Sequence, residues 1–143
     1  MPDEFDDVRE VEPGLSDQYR KASPWPMLVA FGFVLSEVGV VLGYFPVAVG
    51  GLLLFGGTAA GILSESGYVE QMWRSLVGFG LVLAALGALA IGLNIDVAAV
   101  SVDALLDTAR PFVYRGSAIA AAGVMLVAAG VTLKLVQPTR PSP

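Results

Sequence analysis

The chain contains no cysteine and no histidine. Without thiolates it forms no disulfide, Fe–S cluster or thiolate metal site and offers no Cys for lipidation. Without imidazole it lacks the usual ligand of haem, copper and zinc and the commonest general base at neutral pH. If such a chain belongs to a redox machine, its partners carry the cofactor. Charge is scarce as well. Only 15% of the 143 residues are Asp, Glu, Lys or Arg, and none of these occurs over 38–64, 75–95 or 116–133. Each run reaches or approaches the roughly 20 residues that cross a hydrocarbon core about 30 Å thick. A mean hydropathy of +0.72 over 14.8 kDa is more apolar than a soluble domain of this size can hide from water. These numbers describe an all-α, polytopic membrane protein.

Catalytic signatures are missing too: there is no phosphate loop, no GxSxG and no metal-ligand spacing. Asp96, Asp103 and Asp107 suggest a cation site only superficially, since aspartates in an exposed segment are ordinarily solvated. Met27, Met72 and Met125 lie far apart and have no His or Cys to complete a copper site. No enzymatic activity, bound cofactor, metal site or nucleic-acid partner is expected of this chain. The partners expected are the lipid bilayer and other membrane subunits.

What is present falls into three parts. Residues 1–22 are acidic and poor in apolar side chains, with Pro13-Gly14 as a break, and read as a solvated tail. Asp3, Glu4, Asp6, Asp7, Glu10, Glu12 and Asp17 supply seven of the thirteen acids there, so the net charge of −5 belongs mostly to the tail. That tail lacks the basic start and early apolar run of a cleaved signal peptide, which predicts that the first span is retained. Residues 23–137 hold four predicted transmembrane helices, about 24–44, 46–63, 73–93 and 111–136, in an up-down bundle, and 138–143 form a C-terminal tail. Pro24 and Pro26 suit the first turn of the first helix, and Gly43-Tyr44-Phe45-Pro46 supplies the reversal between the first two helices. Over 101–110, Val102, Leu105, Leu106 and Ala109 recur at i, i+3, i+4 and i+7, with Asp103, Asp107 and Arg110 on another face and Ser101 as N-cap. This pattern predicts a short amphipathic helix lying on the external membrane surface.

Arg9, Arg20, Lys21, Arg74, Lys134 and Arg140 fall on the side of the termini, and Arg110 and Arg115 on the other. That bias predicts a multi-pass protein of the cell membrane with both termini cytoplasmic. Tyr19, Trp25, Tyr68 and Trp73 at one level, and Tyr44 and Tyr114 at the other, read as aromatic belts.

Two features stand out inside the spans. Glu37, in FVLSEVGVVLG, is an ionisable group near the middle of the first helix. At a bilayer centre such a group costs about 3 kcal/mol on insertion scales, so it is expected to face a partner or water. It serves either as a titrating or substrate-binding carboxylate or as a carboxyl that hydrogen-bonds a neighbouring helix. Ser36 and Thr58 are the nearby polar candidates. The glycines are the second feature. Gly39 and Gly43 form a GxxxG in the first helix, Gly57 and Gly61 another in the second, and Gly116, Gly123 and Gly130 recur every seven residues in the fourth. Helix three carries Gly78, Gly80, Gly87 and Gly92. Small residues let helix backbones approach where lipid supplies no hydrophobic drive, so these positions predict packing seams. The partner of the fourth helix's stripe, helix three or another subunit, is open at this stage.

Several blocks together carry a likeness. GLSDQYRKASPWP (Gly14 to Pro26), LSEVG (Leu35 to Gly39), FPVAVGGLLLFGG (Phe45 to Gly57) and SGYVE (Ser66 to Glu70) resemble the small four-helix membrane proteins of halophilic archaea called cox cluster proteins, which are encoded with haem–copper terminal oxidases. The likeness is strong over the first half and architectural over the rest. It implies a non-catalytic accessory subunit of a cytochrome c oxidase-type terminal oxidase in the respiratory electron-transport chain. Haem and copper would belong to the catalytic subunits, and this chain would aid assembly or stability. A second reading comes from the small multidrug resistance proteins, whose helix-one segment around an essential glutamate LSEVG echoes. It makes Glu37 the carboxylate of a dimeric proton-coupled exporter, although the acidic tail and the missing pocket aromatics depart from that family.

Overall fold

The computed structural model describes residues 22–138, so the predicted acidic tail and most of the C-terminal tail lie outside the described residues. The described part is 79% helix, with no strand among the described residues. Four helices are long and apolar enough to cross a membrane. They are α1 (Trp25–Leu42), α2 (Phe45–Glu65), α3 (Met72–Gly92) and α5 (Pro111–Val136), with a 3₁₀ turn at Val97–Ala99 and the one-turn α4 (Val102–Leu105) between the last two.

The helix ends follow from local chemistry. Pro26, Pro46 and Pro111 occupy first turns, where a missing N–H costs nothing and the fixed φ is already helical. Gly43 ends α1 with φ 72°, a left-handed conformation natural to glycine, and Tyr44 N–H donates back to the Gly39 carbonyl at 2.8 Å. The chain therefore reverses within Gly43-Tyr44. Gly43 is a turn residue rather than a packing one, and the expected Gly39/Gly43 seam reduces to Gly39.

α1 and α2 form one antiparallel pair. A Cβ at Gly39 would strike the Ala48 backbone, one at Gly51 the backbone N of Ser36, and one at Gly32 the Phe55 N at 2.6 Å. α3 and α5 form a second: a Cβ at Gly87 would strike the Ala120 backbone, one at Gly123 the Ala84 backbone, and one at Gly130 would lie 2.9 Å from the Trp73 carbonyl. The seven-residue stripe of α5 thus faces α3 within the same chain. α2 joins the pairs. Ala48 and Val49 cluster with Ala118 and Ala122 of α5, and Ala60 clusters with Leu76, Leu83 and Leu126. Along the two seams the facing residues are small, so cohesion there comes from close backbone approach and dispersion.

Gly57 is a second correction, because a Cβ there would meet nothing within 4 Å. Its neighbour Gly56 is the buried one, set against Leu126, while Gly61 lies under the Trp25 ring. One residue of register is 100° around a helix, enough to turn Gly57 off the contact face.

The connection after α3 departs from the predicted amphipathic helix. Ser101 does cap it, its Oγ accepting from Ala104 N–H at 3.2 Å, but the helix ends at Leu105. Asp107 Oδ1 accepts from Ala109 N–H at 2.9 Å, a local turn that competes with helix, and Arg110 precedes a proline. Leu106 and Ala109 therefore fall outside the helix, Val102 and Leu106 are exposed, and Leu105 is half-buried. Ser117 Oγ shares its proton between the Tyr114 carbonyl of its own helix, at 2.7 Å, and the Leu105 carbonyl, at 2.9 Å, which ties the connection to α5.

Candidate functional site

Glu37 has a partner that the sequence analysis did not assign. Arg115 Nη2 donates to Glu37 Oε2 at 2.7 Å across 78 positions of sequence. The expected neighbours are occupied elsewhere. Ser36 is buried, and its Oγ donates to the Phe33 carbonyl at 2.7 Å. Thr58 Oγ1 donates to the Leu54 and Phe55 carbonyls. Both hydroxyls back-bond within their own helix, the usual way to satisfy a hydroxyl where water is scarce.

Depth explains the pair. Glu37 lies five residues before the last residue of α1, and Arg115 four residues after the first of α5. At about 1.5 Å per residue each sits roughly 6–8 Å below the same end of the bundle. Glu37 is therefore in the outer third of its helix, not its middle. Arg115 belongs to a helix flank rather than to the connecting loop.

The side chains are 48% exposed for Arg115 and 38% for Glu37, so the pair sits on the outside of the bundle. Around Glu37, the α1 surface is a shallow groove of about 380 Å³ lined by Phe33, Val34, Val38, Val41 and Leu42. Only one hydrogen bond links the two groups. Arg115 retains guanidinium donors, and Glu37 retains Oε1, for a further polar contact. Chemically this is a neutral but strongly dipolar patch on an otherwise apolar wall. It suits recognition of a polar group more than proton transfer through the bundle.

Other polar groups are dispersed. Asp107 pairs with Arg110 at 3.8 Å, and no group of three or more potential metal-ligating side chains occurs among the described residues. Tyr114, expected in an interfacial belt, is 2% exposed and packs edge-on against Phe45 with centroids 5.8 Å apart. Its hydroxyl and that of Ser75 are buried without a hydrogen-bond partner among the described residues. At the opposite end of the bundle Lys134 Nζ lies 4.7 Å from the Trp73 ring centroid, a cation–π contact.

The signal that would have found Arg115 was depth. Counting from the shared end, Gly43 to Glu37 and Pro111 to Arg115 are similar distances along two spans. Of the predicted packing glycines, Gly39, Gly61, Gly116, Gly123 and Gly130 lie at contacts, while Gly32 and Gly51, equally close to a neighbouring backbone, were not singled out for that role.

No curated protein and no solved structure matches the chain. The family described as "Family of unknown function (DUF7541)" matches residues 8–136. The chain belongs to that family.

Proposed function

Starting from a family with no assigned function, we propose that this chain is a non-catalytic accessory membrane subunit of a haem–copper terminal oxidase, aiding its assembly or stability. In this reading the four spans run up and down across the cell membrane with both termini cytoplasmic, and the end bearing Gly43 and α4 faces outward. The observation that carries the reading is a charged pair displayed on the outside of an apolar bundle, in a chain whose blocks resemble haloarchaeal cox cluster proteins. An ion pair turned toward lipid alone gains little, whereas spare donors and acceptors in hydrocarbon reward a polar partner. Haem and copper belong to the catalytic subunits, and this chain supplies a packing surface. The connection 93–110 would cover the partner's external edge.

The exporter reading needs Glu37 to be free to exchange ligands. Its engagement by Arg115 favours the structural role instead. The test is purification of the native protein in mild detergent. The subunit reading expects co-migration with a haem absorbance band. A haem-free protein, alongside an oxidase complete without it, would end this reading. Glu37→Gln separates the two roles: in a subunit it weakens assembly, and in an exporter it abolishes transport.

A further inference from the structure

The two helix pairs repeat one another. Residues 25–39, WPMLVAFGFVLSEVG, align without a gap on 73–87, WRSLVGFGLVLAALG, with 8 of 15 identical, including Trp25/Trp73, Gly32/Gly80 and Gly39/Gly87. Apolar helices match easily by composition, so geometry decides the matter. A Cβ at Gly51 would meet Ser36 N and the Gly32 carbonyl, and one at Gly123 would meet Ala84 N and the Gly80 carbonyl. Gly39 abuts Ala48 N, as Gly87 abuts Ala120 N. Gly32 abuts Phe55 N, as Gly80 abuts Val127 N. These three contacts of the first pair map onto three of the second when α1 is matched to α3 by 48 positions and α2 to α5 by 72.

The hairpins meet through α2: Ala48 and Val49 cluster with Ala118 and Ala122 of α5, and Ala60 clusters with Leu76 and Leu83 of α3 and Leu126 of α5, so α2 and α5 are alike within their hairpins and differ in how they join them. The outward faces also correspond. Phe33, Val34, Val38 and Val41 are 55%, 56%, 43% and 79% exposed, and Leu81, Val82, Leu86 and Leu89 are 57%, 57%, 52% and 57%.

We infer that the bundle is a tandem repeat of one αα-hairpin, α1–α2 and α3–α5, with the same seam inside each unit. The Glu37–Arg115 pair is the chemical mark that distinguishes one outward face from its otherwise equivalent counterpart. Glu37 corresponds to Ala85. Arg115 falls within residues 111–116, by which α5 extends beyond the segment matching α2, so it has no counterpart in the first hairpin. Internal repeats of parallel topology are a known way to build membrane proteins. In them, a residue that breaks the repeat is where the two halves differ in role. Resting on the accessory-subunit reading, the partner seats on α1 and lipid covers the equivalent face of α3.

The test is a transplant in the full chain. Residues 28–39 are replaced by LVGFGLVLAALG from 76–87, together with Arg115→Gln so that no charge is left alone. A control carries the same twelve residues shifted by one position. If the hairpins are equivalent, the transplant stays monodisperse and helical and melts within about 5 °C of a Glu37→Ala/Arg115→Gln double variant. The shifted control melts far lower, because its glycines leave the seam. A transplant that melts as low as the control would overturn the repeat. Co-migration with haem reads the partner separately: the transplant should lose it. Haem retained by a well-folded transplant would sink the α1 docking face while leaving the repeat intact.

Discussion

The glycine seams and the Glu37–Arg115 patch are two kinds of contact in one small bundle. Along the seams, Gly32, Gly39 and Gly51, then Gly80, Gly87 and Gly123, bring backbones so close that a single methyl would collide with a main-chain atom of the facing helix. Nothing polar is needed there. The patch is the reverse, two long charged side chains meeting at 2.7 Å on the outside of the molecule, with little packed against them. In a bilayer the seams hold the chain to itself, since close dispersion contact is what separates helix–helix from helix–lipid association. The patch does not need to hold anything together internally. Its exposure is what makes it available to another molecule.

The sharpest way to break that comparison is to fill a seam. Gly123→Leu drives a side chain into Ala84 and Gly80. It should cost about 3 kcal/mol or more, because overpacking against backbone has no flexible neighbour to yield. Gly78→Leu and Gly92→Leu, where a Cβ would meet nothing within 4 Å, should stay within about 0.5 kcal/mol of the parent. Thermal melting in detergent reads both. Equal losses at Gly123 and Gly78 would show that the seam is not where cohesion lies.

A smaller effect is expected at the patch. Arg115→Ala leaves Glu37 unpaired on an apolar wall and should cost on the order of 1–3 kcal/mol, with Glu37→Gln/Arg115→Gln recovering most of it. A double variant as unstable as the sum of its singles would mean that the pair is not coupled.

Smaller still is the tether of the connection. Ser117→Ala removes the donor to the Leu105 carbonyl and should cost about 1 kcal/mol. Amide exchange over 97–110 should rise while the α3–α5 seam stays protected.

The smallest is Tyr114→Phe. Its hydroxyl is buried without a partner among the described residues, so removing it should leave stability unchanged or raise it by less than about 1 kcal/mol. A clear loss would reveal a hydroxyl partner that the packing does not show.

The sequence revealed the spans more readily than the contacts between them, for physical reasons. Charge-free runs and first-turn prolines are local, one-dimensional signals, and they mark the four long helices. The α5 stripe of Gly116, Gly123 and Gly130 was legible because a seven-residue period keeps one face of a helix in line. Gly43 and Gly57 misled because GxxxG spacing does not distinguish a seam from a turn or an open flank. That distinction depends on φ and on the facing helix. The partner of Glu37 was hidden because orientation counting treats Arg115 as a loop charge. The α4 prediction extended too far because hydrophobic period alone ignores the Asp107 turn and the proline at 111.

In the accessory-subunit reading the charged face of α1, and not its counterpart on α3, is the one a partner covers. A photo-crosslinking residue placed at Val38, and in a separate variant at its counterpart Leu86, tests this directly in native membranes. Both side chains are exposed, at 43% and 52%, and stand in matching apolar surroundings. A protein adduct containing a haem-bearing oxidase subunit is expected from position 38, and lipid adducts only from position 86. Equal protein adducts from both positions, or none from position 38, would contradict that reading.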